Sequence, residues 1–515
     1  LWSNPQNWSN NIAPVSGDAV LFPLAAAQLI NTNDLPTNTV LHSITFGAAS
    51  AGYVLRGNPL AIISHVETLA AAGTNAVALP LILTTNQNLA ATGGGTLNFE
   101  GPVDTNLRTL QTAGPGNVRF PGGIIGGGHV AVLGSGFVEF LGTNTYTGST
   151  RVHTGSLICR NSTPGANNGS ALILTNTGTL QLLNAGSLNK SFLLGSTVII
   201  SNTSPVTWSG SLVLVSNTTS TLNVRSNTTL TIQLALDQTH NGFLIKSGPG
   251  TLRLDDLLIP ACCYFPALVR GGISVSEGRL VIESADGVNP TGYGQISIGS
   301  GAEVFAVGDI APVTVNHGAF RASLTPTNSG RAVLYGNLAL SSGARVDVRL
   351  NGVTPGSDHD QIGVRGAVQL NGATLNLEPG PVVPVIGSQF IIITNDSNDT
   401  VNGTFTGLPQ GAITVAGSMF LQIDYAGGDG NDVVLTRVNP VLQFSSIARQ
   451  PSGAMQINAF GSPGLPHVLE ATTNLNPVIV WLPLLTNTAD GQGILNFTDS
   501  SATNFPQRFY RLRGP

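Results

Sequence analysis

Residues 134–159, GSGFVEFLGTNTYTGSTRVHTGSLIC, hold two short strand phrases joined by a glycine-marked corner and a Thr/Asn corner. Phe137, Glu139 and Leu141 fall on alternating positions, as do Arg151 and His153, so each phrase offers one face to a core and the other to water. Gly148 and Gly155 turn the chain. Phrases of this kind make rungs rather than globules. A weaker copy spans residues 248–282: GPGTLRL opens it, VRGGISVSEGRLVI closes it, and the corner has diverged to DDLLIPACCYFPA at 255–267, read as a bulging loop. The same grammar recurs in GGGTLNFEG (93–101), TGTLQLLNAGSL (177–188), SGARVDVRL (342–350) and NGATLNLEPG (371–380). Recurrence at intervals of a few tens of residues is the signature of a solenoid.

A chain of 515 residues with 41% hydrophobic content can bury a sizeable core, and its length alone suggests several domains. A solenoid escapes that count, because each coil contacts only its neighbours. With 63 glycines, 6% aromatic residues and no sustained helical periodicity, the fold class is all-β: an elongated parallel β-helix followed by a small C-terminal β-sandwich. Charged residues make up only 9%, and Lys occurs only at Lys190 and Lys246. No basic stripe exists to neutralise phosphates, which disfavours nucleic acid. Asn, Thr, Ser and Gly carry the surface instead, and such a surface repels copies of itself weakly and suits dense assembly. No run is long and apolar enough for a membrane helix.

The phrase at 134–159 resembles the autotransporter-associated β-strand repeat of bacterial passenger domains, with Gly136, Asn144, Thr145, Tyr146, Thr147, Gly148, Gly155, Ser156 and Leu157 in the matching places. The opening LWSNPQNWSNNIAPVSGDAVLF (1–22) resembles the start of secreted β-solenoids that carry these repeats, through Trp2, Asn7, Trp8, Pro14, Gly17, Asp18 and Phe22, and residues 357–437 resemble their closing part. The resemblance implies architecture far better than activity, and it implies an extracellular protein, secreted or held at the cell surface. The chain begins at Leu1 rather than Met, as expected after removal of an export signal, and no translocator barrel follows. Residues 1–90 are assigned to a capping region and first coils, and 91–438 to the solenoid. After Val438 the pattern changes to short strands with Pro, Gly and Asn turns, and 439–515 reads as an Ig/fibronectin-like sandwich module. That module resembles C-terminal modules of secreted bacterial proteins, with Trp481, Phe497, Asp499, Arg508, Phe509, Tyr510 and Arg511 in recurrent places.

Trp2 and Trp8 are expected to cover the open end of the first coil, with stacking on a sugar ring as the alternative. Phe505, Phe509 and Tyr510, in the terminal FPQRFYRLRGP, are candidates for docking on the Trp2/Trp8 end of another copy, against capping within one chain. GGDGNDVVL (427–435) matches one copy of the calcium β-roll pattern through Asp429 and Asp432; lacking a second copy, it reads rather as a closing corner, and no cofactor is expected. Asp358, His359 and Asp360 read as a solvated turn with Asx hydrogen bonds rather than as a metal or acid/base site. Asp255 and Asp256 are adjacent and, in a strand, would face opposite sides. Cys159 lies in a rung, and Cys262 and Cys263 lie in the divergent loop. The sequons at Asn161, Asn168, Asn202, Asn217, Asn227 and Asn402 follow from the abundance of Asn and Thr. The functional expectation is a secreted, non-enzymatic structural or adhesive subunit that forms a homo-polymer or binds cell-surface or matrix components. The alternatives are a polysaccharide lyase or glycosidase, and a carbohydrate-binding adhesin using Trp2, Trp8, Trp208 or Trp481.

Overall fold

The computed structural model describes residues 1–515 apart from 25–26, 167, 211, 234–240, 256–270, 285–293, 397–398, 440–441, 463, 491–492 and 515. The protein is nearly all-β, a parallel β-solenoid of about 13 turns followed by antiparallel sheets. Its contacts divide it into two compact units, residues 1–313 and 314–515.

Alternation explains each rung, and stacking explains why a rung holds. In Thr179–Leu183 the side chains of Leu180 and Leu182 are buried while their neighbours are half exposed, and Thr197–Ser201 repeats the pattern. The two strands pair in parallel with Thr179 against Thr197 and Leu180 against Val198. Continued over successive rungs, this register builds one interior column from Val118, Val138, Leu157, Leu180, Val198 and Leu222. A second column runs through Phe120, Phe140, Cys159, Leu182 and Ile200. A slip of one residue would turn every one of these side chains to solvent, so the hydrophobic pattern itself pins the register. Cys159 is thus a buried free thiol in the core, its pKa pushed up by burial. Cys262, Cys263 and Asp256 lie outside the described residues, whereas Asp255 closes the strand Thr251–Asp255.

Residues 1–313 contain three parallel ladders. One starts at Ile30–Asn33 and reaches Ile296–Ile298; a second runs from Ala19–Phe22 to Leu212–Leu214; a third starts at Val206–Trp208 and reaches Ala302–Ile310. Where the second gives way to the third, Trp208 stacks on Phe192 with ring centroids 4.2 Å apart.

The corners account for the abundance of Asn and Gly. Asn106, Asn161, Asn176, Asn184, Asn217 and Asn227 all adopt φ between 43° and 59°, a region that Asn tolerates better than most residues. Three of these are sequon positions, so local geometry is reason enough for their identity. At the Asn-Thr-Tyr-Thr-Gly corner, Asn144 is buried; its Oδ1 accepts from Ile124 N–H at 3.0 Å and its Nδ2 donates to Ser162 Oγ at 2.8 Å and Thr163 O at 3.1 Å. Tyr146 is also buried, with its hydroxyl 2.5 Å from Thr150 Oγ1. A Cβ on Gly148 would come within 2.2 Å of Gly128 O, which leaves room only for glycine.

In residues 314–515, Ala319–Arg321, Arg345–Leu350 and Thr374–Pro379 stack in parallel, as do Arg331–Leu334, Gln361–Val364 and Gln389–Asn395. Antiparallel pairing then begins within the segment read as solenoid: Gln389–Asn395 pairs with Asp432–Val438, which pairs with Met419–Gly427, which pairs with Ile413–Ala416. Tight turns at Gly417 (φ +58°) and Gly428 (φ +61°) reverse the chain here, where solenoid corners would carry it on to another rung. Beyond this meander stand two three-stranded antiparallel sheets: Gln443–Arg449, Met455–Phe460 and Ile494–Asp499 form one; Leu482–Thr488, Pro466–Thr472 and Phe509–Arg513 form the other. They close on Ile457, Ala459, Leu469, Ala489, Leu495 and Phe497, a core consistent with a small β-sandwich.

Candidate functional site

At the start of the solenoid, Ala19–Phe22 buries Val20 and Phe22 and exposes Ala19 and Leu21. Two 3-10 turns, Pro5–Asn7 and Ser9–Asn11, precede it, the first capped by Asn4 Oδ1, which accepts from Gln6 N–H at 3.1 Å. Trp2 N–H donates to Thr32 O at 3.1 Å, and Trp8 Nε1–H donates to Trp2 O at 2.8 Å. The two rings meet edge to face at 5.7 Å, and Trp2 lies 5.8 Å from Phe22, leaving Trp2 only 1% exposed. This aromatic group caps the first coil from within its own chain. Beside it lies a recess of about 610 Å³, lined among others by Leu1, Trp8, Ile12 and Leu21. Among the described strands Ala19–Phe22 pairs only with Thr39–Phe46, so its other edge has no strand partner there, and Leu1, Ile12 and Leu21 beside it are exposed.

The C-terminal candidates are woven into their own module. Phe509–Arg513 is an integral strand, paired antiparallel with Pro466–Thr472. Asp499 gathers the segment: its Oδ1 accepts from Ser501 N–H at 3.0 Å, and its Oδ2 meets Arg508 Nη1 at 2.8 Å and the Tyr510 hydroxyl at 2.9 Å. Burial, and then the Asp499 carboxylate, push the Tyr510 phenol up to about 12. Tyr510 packs on the sandwich core, whereas Phe505 and Phe509 face outward, with Arg508 lying 4.4 Å over the Phe505 ring. Trp481 carries Arg511 over its ring at 4.7 Å, and Arg511 Nε reaches Glu470 Oε2 at 2.6 Å. On the same sheet the edge strand Leu482–Thr488 and the preceding segment expose Val478, Val480 and Leu482.

Asp429 stands exposed on a hairpin turn, while Asp432 is buried and its Oδ1 accepts from Asn395 N–H at 3.0 Å. Burial raises the Asp432 pKa. The two carboxylates therefore point to different work. Among the described residues, no group of three or more His, Cys, Asp or Glu side chains is placed to hold a metal ion. No described helix is long and apolar enough to cross a membrane.

The segment 358–360 departs from the solvated turn read in the sequence. Asp358 does accept from Thr354 N–H at 3.2 Å, and the Thr354 side chain first, then this backbone donor, lowers its pKa, but His359 and Asp360 are fully buried. His359 sets Nδ1 3.1 Å from Gly352 O and Nε2 3.3 Å from Ile391 O, and burial lowers its pKa. Asp360 accepts from Gly330 N–H at 3.0 Å and Arg349 N–H at 2.9 Å, and lies 3.7 Å from Arg321. Arg321, itself buried, also faces Asp347 at 3.9 Å and Glu378. These charges come from four separate chain segments, and no local motif announces them. A network of this kind, one buried guanidinium among three carboxylates, ties separate chain segments together in the core.

Both lysines are fully buried as well. Lys190 Nζ donates to Ser170 Oγ at 2.7 Å, and Lys246 Nζ donates to three backbone carbonyls. Of the four tryptophans, Trp2 and Trp208 are buried and Trp8 and Trp481 are half-buried; they are spread over the cap, a solenoid rung and the terminal module. No protein-family model matches the chain, and no curated protein matches its sequence.

Proposed function

We propose that this protein is a secreted, non-catalytic structural or adhesive subunit that assembles through its strand edges into an extracellular filament or matrix. The observation that carries the reading is the edge of Ala19–Phe22 that has no partner among the described strands, flanked by exposed Leu1, Ile12 and Leu21: a strand edge of this kind with apolar neighbours is a template for another chain. Burial of both lysines adds to the scarcity of charged side chains at the surface. Complementary apolar edges occur on the terminal module at Val480 and Leu482, so the contact would be heterologous and would propagate rather than close. The resemblance to autotransporter-associated repeats supports the extracellular setting. Because Trp2 is consumed by its own cap, the docking surface is assigned to the edge strand instead.

Negative-stain imaging with sedimentation tests the reading. Wild-type protein should form linear assemblies, and Leu21→Lys or Leu482→Lys, each at an exposed position, should leave folded monomers. Wild-type protein that stays monomeric at high concentration would overturn it.

A further inference from the structure

The outward face of the second ladder carries a feature that assembly does not use. Thr109–Ala113, His129–Val132 and Thr150–Val152 are consecutive rungs, with Gln111 in register with Ala131 and Ala131 in register with Arg151. The small Ala131 leaves a dip between two long polar side chains, a recess of about 520 Å³. At a rung spacing of about 4.8 Å, Gln111 and Arg151 stand roughly 10 Å apart, room for a monosaccharide unit. His129 and Ser149 border one side, and the exposed Leu133 and the half-buried His153 the other.

The polar groups here are poised outward. Arg151 is exposed and has no hydrogen-bond or ion-pair partner among the described residues. His129 Nδ1 accepts from Ser149 N–H at 2.9 Å, which places the ring proton on Nε2, away from that contact. His153 engages Thr175 Oγ1 through Nδ1 at 3.0 Å, again leaving Nε2 free of that bond. The strands Gln87–Ala91, Thr109–Ala113, His129–Val132, Thr150–Val152, Gly169–Leu174 and Lys190–Leu194 contain no Asp or Glu. In a chain of net charge -5, these six rungs hold no strand carboxylate, Glu67 and Asp104 lying on other strands of the ladder, and they present an unpaired guanidinium.

We infer that this recess binds an acidic sugar of a polysaccharide, its carboxylate or sulfate held by Arg151 and its ring laid over Ala131 and Leu133. A guanidinium fork matches either oxyacid in bidentate fashion. Gln111 and the two imidazoles supply donors for ring hydroxyls. The recess lining includes no Asp or Glu, so the proposed role is retention of the glycan. The inference stands apart from assembly, since a subunit could bind glycan without polymerising.

Affinity electrophoresis of the full chain through gels containing polygalacturonate, dextran sulfate or neutral dextran tests it. At least one acidic polymer should retard the wild type while neutral dextran does not; Arg151→Ala and Ala131→Leu should each weaken retardation at least tenfold, and the remote exposed Arg56→Ala should not. Absence of retardation by both acidic polymers, equal retardation by neutral dextran, unchanged binding in the two recess variants, or equal weakening by Arg56→Ala would each overturn it.

Discussion

Lys246 is paired in register with Leu222 inside the solenoid, in a largely aliphatic column, and Val275 follows it on the other side. Its ammonium is held by the carbonyls of Gly248, Glu277 and Ser247 at 2.6, 2.9 and 3.1 Å. Burial lowers its pKa from 10.5 to about 8, with Glu277 opposing the shift. A lysine with a depressed folded pKa contributes stability that is present above the unfolded value and lost as pH falls through the folded one. Between pH 8 and 10.5 the wild type should therefore gain roughly 3 kcal/mol relative to Lys246→Met. Denaturation at pH 7 and pH 10.5 measures the gain; curves for the two proteins that move in parallel would contradict it.

Lys190 is as deeply buried, and no other lysine exists. Amine acylation of the native protein should leave both lysines unmodified, and both should react once the chain is unfolded. Peptide mapping reads the difference, and rapid native labelling of either residue would place it outside the core.

Asp360 behaves with the opposite sign. Burial raises its pKa from 3.8 to about 7, against the pull of two backbone N–H donors and Arg321. A carboxyl raised on folding contributes stability that is full below pH 3.8 and lost as pH rises through 7. Asp360→Asn should thus be most destabilising at pH 4 and lose much of that cost by pH 8. His359, lowered by burial, works the other way, losing stability as pH falls through its depressed value, so the comparison has to be between variant and wild type at each pH. A cost independent of pH would refute the assignment.

The corner phrase makes graded predictions. Asn144→Ala strips Ile124 N–H of its acceptor and leaves buried partners unmet, at a cost of about 2–4 kcal/mol. Tyr146→Phe removes one hydroxyl while Thr150 Oγ1 keeps its bond to Pro164 O at 3.1 Å, so the cost is about 1 kcal/mol. Denaturant midpoints should fall in that order; equal effects would mean that the ring, not the hydrogen bonds, holds the corner.

How far the sequence reaches is set by the range of each interaction. Period-two alternation at Phe137 to Leu141 and Thr179 to Leu183 is local, so the rungs and the solenoid are legible from the chain alone. The glycine at 148 and the asparagines at 161, 217 and 227 are legible for the same reason, since each answers a demand of its own corner. The antiparallel meander at 389–438 is not, because its strands are short β segments as the rungs are and only the turns at Gly417 and Gly428 send them back. Nor is the Arg321 network, whose partners Asp347, Asp360 and Glu378 meet only after stacking. Arg151 and His153 are visible as an exposed alternating pair, but the dip beside them depends on Ala131 one rung away.

The terminal strand yields the last prediction. Phe509–Arg513 is the outer strand of its sheet, and Tyr510 and Leu512 pack on the core of Ile457, Leu469 and Phe497. Removing residues 509–515 would take away that strand, the Tyr510 bond to Asp499 and the Arg511 bond to Glu470, leaving both carboxylates in a half-open core. A module this small has little apolar burial to spare, so it should lose its fold. Residues 1–313 form their own compact unit and none of their strands pairs with the terminal module, so they should remain folded. Limited proteolysis of the truncated chain should accordingly cut rapidly within 443–508 while fragments from 1–313 persist. A truncated protein that resists cleavage throughout would show that the strand is dispensable and would return the terminal segment to the role of a free docking arm.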